Sequence, residues 1–135
     1  MRERLAVARR ALATLSELVG ETDVSPVVRD AAIQRFEYTY EALWKAAQRF
    51  LMVVEGVQIE SPKRAIRESR SVALLDSAAA RNALAMADDR NLTVHTYNEA
   101  LAEAIYHRLM GYSKLMDQWL RAMEERSIDD ESGSL

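Results

Sequence analysis

The chain has no cysteine, so disulfides, thiolate nucleophiles and thiolate zinc sites are excluded, and a reducing cytosol suits it. No apolar run approaches the roughly 18 residues that a membrane span requires. The arginine-rich start carries Glu3 inside a regular amphipathic pattern, which reads as a helix of the domain and not as a leader. There is no Gly-rich phosphate loop, no paired acid and His at metal-ligand spacing, and no Ser nucleophile elbow. Neither a metal nor a cofactor is therefore expected. Charge of one sign is also missing: the net charge is −3, and Asp129, Asp130 and Glu131 account for it. Residues 1–126 carry 18 basic and 18 acidic groups, whereas a general polyanion binder would be clearly basic. A soluble, untargeted cytosolic protein with no membrane association is the expectation.

What is present is helical pattern. With 135 residues, 49% of them apolar, the chain supports one domain with a real core. Leu5, Ala8, Leu12, Leu15 and Val19 alternate spacings of three and four, the stripe of a packed helix, and Gly20 supplies a stop. Ser25-Pro26 is a cap followed by a first-turn proline. It opens a long helix with the stripe Ile33, Phe36, Tyr40, Leu43, Ala47, Phe50 and Val54, a second apolar line at Trp44 and Leu51, and an end at Gly56. Ser61-Pro62 repeats the start signal for a shorter helix over 62–75. A fourth helix is predicted over 77–95, and Thr96-x-x-Glu99 matches a capping box for a fifth. That last helix carries Leu101, Ile105, Leu109, Tyr112, Met116, Trp119 and Met123. Gly111 interrupts it and suggests a close helix crossing. The expected architecture is all-α, an up-and-down bundle of four to five helices over residues 1–126, with a flexible acidic tail over 127–135.

One segment gathers groups suited to phosphate chemistry: Arg90-Asn91-Leu92-Thr93-Val94-His95-Thr96-Tyr97. On a helix Asn91 and His95 are i,i+4 neighbours, and Arg90 lies at the edge of the same half. Metal-free RNA cleavage needs a base for the 2′-OH proton, an acid for the leaving 5′-oxygen and a cation for the charge that builds on phosphorus. One imidazole cannot easily serve as base and acid together. The chain has only two His, and His107 is twelve residues further on, so the second imidazole is best supplied by a second copy in a twofold dimer. With 15 Arg in the chain, Arg-x-x-x-x-His alone is a weak signal, and Asn91 sharpens it. A structural reading stands beside the catalytic one, in which Arg90 pairs with Asp88 or Asp89 and His95 is a helix C-terminal residue favoured by the dipole.

This Arg-Asn-x-x-x-His-x-Tyr arrangement resembles the signature of HEPN ribonuclease toxins paired with a minimal nucleotidyltransferase antitoxin. Residues 29–41 followed by Leu43-Trp44-Lys45 are similar to the opening of the nucleotidyltransferase substrate-binding protein family. The likeness continues through Ser61, Pro62, Ile66, Arg67 and Glu68. It departs at Ala83, where relatives often carry Trp seven residues before the motif Arg. The resemblance implies a homodimeric HEPN-like bundle and a toxin with catalytic Arg90, Asn91 and His95. It also implies a partner nucleotidyltransferase that transfers AMP to Tyr97, silencing the nuclease with bulk and negative charge. The chain lacks a nucleotidyltransferase site of its own, since no Gly-Ser followed by paired Asp on a strand is present.

For the RNA substrate, Lys63, Arg64, Arg67 and Arg70 form the best local basic patch, although beside Glu60 and Glu68 they also read as ordinary solvated charges. Two other functions stay open. The chain could be a non-catalytic subunit that presents a substrate or nucleotide to a nucleotidyltransferase, or a plain structural helical dimer.

Overall fold

The structure is a computed structural model. It describes residues 1–96 and 98–133, and for 130–133 the backbone alone. Five helices follow in order: α1 Arg2–Ser16, α2 Pro26–Glu55, α3 Pro62–Ser71, α4 Ser77–His95 and α5 Glu99–Gly133. Among the described residues there is no strand, so the all-α expectation holds.

The starts of α2 and α3 follow from their serines. The Ser25 hydroxyl accepts from the Val28 N–H, the Ser61 hydroxyl accepts from the Arg64 N–H, and proline occupies the first turn of each helix. At α4 the Asp76 carboxylate accepts from the Ala79 N–H at 2.7 Å. α5 begins one step away from the expected capping box. Its cap is Asn98, whose side-chain oxygen accepts from the Leu101 N–H at 2.8 Å, while Thr96 closes α4 in extended backbone.

Two helix ends differ from expectation. α3 stops at Ser71, not at residue 75, because the chain turns through Ala73 at φ +64°. There the Ala73 N–H donates to the Arg70 carbonyl and the Leu74 N–H to the Ser69 carbonyl, which is the Schellman arrangement. The turn sends Leu74 and Leu75 into the core from outside the helix. α5 continues past residue 126, where a tail is expected, to Gly133. Neither Gly nor Pro interrupts residues 112–132, and Ser127 is buried on the helix with its hydroxyl bonded to the Glu124 carbonyl. Gly111 marks no close crossing, since a Cβ there would meet nothing within 4 Å. The tight approach is at Gly20, at φ +91°, where a Cβ would run into the Met110 methyl.

Long-range pairs fix the topology. Arg35 reaches back to Glu17 and the Thr14 carbonyl, so α1 and α2 are antiparallel. Arg90 meets Glu41, and Asp89 meets Arg108 and Tyr112, so α4 runs against both α2 and α5. These four long helices alternate up and down. α3 stands outside the alternation: residues 57–61 double back along α2, where the Gln48 side chain donates to the Ile59 carbonyl at 2.6 Å. α3 therefore runs parallel to α2 and antiparallel to α4, with Lys63 beside Asp88 and Arg70 beside Ser77. The core lies between the long helices and is built on Phe36, Phe50, Trp119, Met86 and Met116, all fully buried. Nearly every stripe residue read from the sequence is in it.

Candidate functional site at the end of α4

The inner face of α4 is small, with Ala79, Ala80, Ala83 and Ala87 all buried around Met86. Ala83 is fully enclosed and lies against the core. The next turn of that face is polar. Asp89 is buried and binds α5: its two oxygens each accept from the Arg108 guanidinium at 2.8 Å, and Oδ2 accepts from the Tyr112 hydroxyl at 2.5 Å. Burial and the adjacent carboxylate push the Tyr112 phenol well above its ordinary range, and the Asp89 bond raises the Arg108 guanidinium. Tyr112 also stacks on Phe36, with ring centroids 5.7 Å apart. One residue before the motif, α4 is thus bolted to α5 and through it to α2.

Arg90 turns toward α2. Its Nη2 lies 3.6 Å from Glu41 Oε2, its guanidinium carbon is 5.8 Å from the centre of the Tyr40 ring, and Nε is buried with no hydrogen-bond partner among the described residues. Neither Asp88 nor Asp89, the partners a structural reading offers it, holds it: Asp88 pairs with Lys63 at 2.6 Å and Asp89 with Arg108. Burial pushes the Tyr40 phenol up to about 12, with the Arg90 charge pulling the other way. Tyr40 therefore meets Arg90 as a neutral ring.

Asn91 and His95 share the solvent face of the last two turns, and both are exposed. Leu92 and Val94 between them are exposed to 42% and 49%. The other imidazole, His107, sits on α5 with Nε2 3.8 Å from Glu103 Oε1. Tyr97 lies outside the described residues. Within one chain the structure thus brings together Arg90, Glu41 and Tyr40 on one side of α4, and Asn91 with His95 on another.

The basic row on α3 is real as a row but largely engaged. Lys63 pairs with Asp88, Arg64 with Glu68 at 3.5 Å, and Arg70 donates to the Ser77 hydroxyl, while Arg67 is exposed. Among the described residues no group of three or more His, Asp or Glu side chains is placed to hold a metal. Among the described residues no helix is long and apolar enough to cross a membrane. Glu41 and Asp89 escape a local reading because their partners are dozens of residues or a helix away. Asp89 did leave a trace, an acid three residues beyond Met86 on an otherwise apolar face.

A family model described as "nucleotidyltransferase substrate binding protein like" matches residues 3–125. The chain belongs to that family. No curated protein sequence matches it. Among solved structures, a protein of Thermus thermophilus is 59% identical, with 86% of this chain and 98% of that one covered at a TM-score of 0.83. A tri-AMPylated HEPN toxin of Shewanella oneidensis, in complex with its MNT antitoxin, is 16% identical, with coverage of 91% and 95% and a TM-score of 0.75. A toxin–antitoxin structure with AMP-PNP matches at 15% identity, coverage of 90% and 94%, and a TM-score of 0.73. This member of the nucleotidyltransferase substrate-binding family therefore has the HEPN fold.

Proposed function

We propose that this chain is the toxin half of a toxin–antitoxin pair, a metal-independent HEPN ribonuclease acting in the cytosol, which a minimal nucleotidyltransferase neutralises by adenylylating Tyr97. The observation that carries the reading is the end of α4, where Asn91 and His95 stand in solvent beside exposed Leu92 and Val94. An apolar pair flanking two uncommitted polar groups suits a face that a second copy covers. In such a homodimer two His95 imidazoles flank one phosphate. One takes the 2′-OH proton as that oxygen attacks phosphorus, and the other protonates the departing 5′-oxygen, leaving a 2′,3′-cyclic phosphate and a 5′-hydroxyl. Arg90 stabilises the charge on the phosphorane, and Asn91 orients the phosphate or the imidazole. Arg90 is only half-buried and its Glu41 contact is long, so phosphate can take over the guanidinium. Arg67, with Lys63, Arg64 and Arg70 after exchange of their partners, would follow the RNA backbone.

The test is RNA cleavage in EDTA by the wild type and by His95→Ala and Arg90→Ala. Undiminished cleavage by the His95 variant overturns the assignment. Incubation with the partner enzyme and ATP should add AMP to Tyr97, read by mass spectrometry. The family description favours a second reading, a non-catalytic subunit that presents a substrate or nucleotide to the nucleotidyltransferase. That reading requires stable co-purification with the enzyme and no nuclease activity.

A further inference from the structure

Beside the motif lies a cavity of about 170 Å³ between α2, the end of α4 and the start of α5. Thr93 and Thr96, which flank His95 in the chain, form one rim. Ile33, Leu101 and Ile105 form the apolar walls, and Asp30 and Glu37 add carboxylates from α2. The two acids are not equivalent. Asp30 is paired with the buried guanidinium of Arg29 at 3.1 Å, whereas half-buried Glu37 makes no hydrogen bond or ion pair among the described residues.

We infer that this cavity receives one nucleobase of the RNA whose phosphate lies at Arg90, on the same α2-facing side of α4, and that Glu37 selects a base presenting an amino group. The inference rests on the ribonuclease reading above. The size fits one flat ring, since a cavity of about 150 Å³ takes up benzene. Single-stranded RNA is recognised through splayed bases held against apolar or aromatic surfaces and hydrogen-bonded along their edges. A carboxylate accepts and cannot donate, so it pairs with the cytosine N4 amino group. Uracil brackets its one N–H with two carbonyl oxygens, which Glu37 repels. The phosphate itself is kept out by the two acids and left to Arg90.

Binding to 2′-O-methylated penta-cytidylate and penta-uridylate tests this without any cleavage, because the attacking hydroxyl is blocked. The two oligomers differ at C4, amino against carbonyl. The intact wild type should bind the cytidylate about tenfold more tightly, the scale of one charge-assisted hydrogen bond. Glu37→Gln, whose amide also donates to the uracil oxygen, should bring the ratio near one, and Glu37→Ala should do the same with both oligomers bound weakly. Circular dichroism checks that each variant is folded. Equal binding by the wild type, no binding of either oligomer, or a preference that survives both substitutions would overturn the pocket. A protein that cuts RNA without discriminating bases retains its nuclease assignment and loses this pocket. One that discriminates through Glu37 yet never cuts does the reverse.

Discussion

The seam between α1 and α5 and the exposed end of α4 are built on opposite principles. Along the seam the half-buried cation is answered. Arg9 meets both Asp117 and Glu124 at 2.5 Å, and those hydrogen bonds push its guanidinium up against the opposing cost of burial. Tyr106 donates to the Leu18 carbonyl, and Leu5, Ala8, Leu12 and Leu15 are buried in an unbroken stripe. From Asn91 to Thr96 the reverse holds, with only Thr93 sheltered from solvent. The seam satisfies its own groups and explains the bundle. The α4 end leaves polar and apolar groups without an internal role, and those are the groups that a partner or substrate can use.

The contrast can be broken from either side, beginning with the largest effect. His95→Ala should lower RNA cleavage by about a thousandfold, within the range for loss of a general acid or base. Its unfolding free energy in urea should stay within about 0.5 kcal/mol of wild type, because the side chain is exposed. Phe50→Ala should do the opposite. It opens a cavity at a fully buried position and should cost about 3–5 kcal/mol in urea denaturation, with cleavage per folded molecule unchanged.

A smaller effect sits where the two regions meet. Tyr40 holds its proton to about 12 in the folded state, whereas an unfolded phenol releases it near 10. Between those values the unfolded chain binds fewer protons, so stability is complete below the lower value and is lost as pH rises through the upper one. The loss should be on the order of 2 kcal/mol. Tyr40→Phe should remove that part of the alkaline decline in urea midpoints measured across this window. The smallest effect is a gain. Ala73→Gly relieves a left-handed position and should raise stability by about 1 kcal/mol, with no change at the α4 end.

The sequence made the elements legible wherever the determinants are local. Ser25-Pro26, Ser61-Pro62 and Gly56 mark boundaries that the structure keeps, and the three-four stripes identify buried residues because one helix face is enough to read them. The end of α3 was hidden because Ala73 adopts a conformation usually signalled by glycine. The α5 cap fell to Asn98 and not Thr96, although both are good caps, since only the geometry of the junction separates them. The site was half legible. The spacing of Asn91 and His95 gives their shared face, but the turn of Arg90 toward Glu41 and the burial of Asp89 depend on which helices become neighbours. No local pattern encodes that, and the return of residues 57–61 along α2 shows how far neighbour choice can depart from simple alternation.

The grip of Arg108 and Tyr112 on Asp89 acts as an index mark for everything downstream on that helix. Each residue added or removed between position 89 and the imidazole swings it by about 100° around the axis, because the carboxylate cannot rotate to compensate. Length variation should therefore be absorbed in the three-residue junction after α4 and never within the six positions that follow the mark.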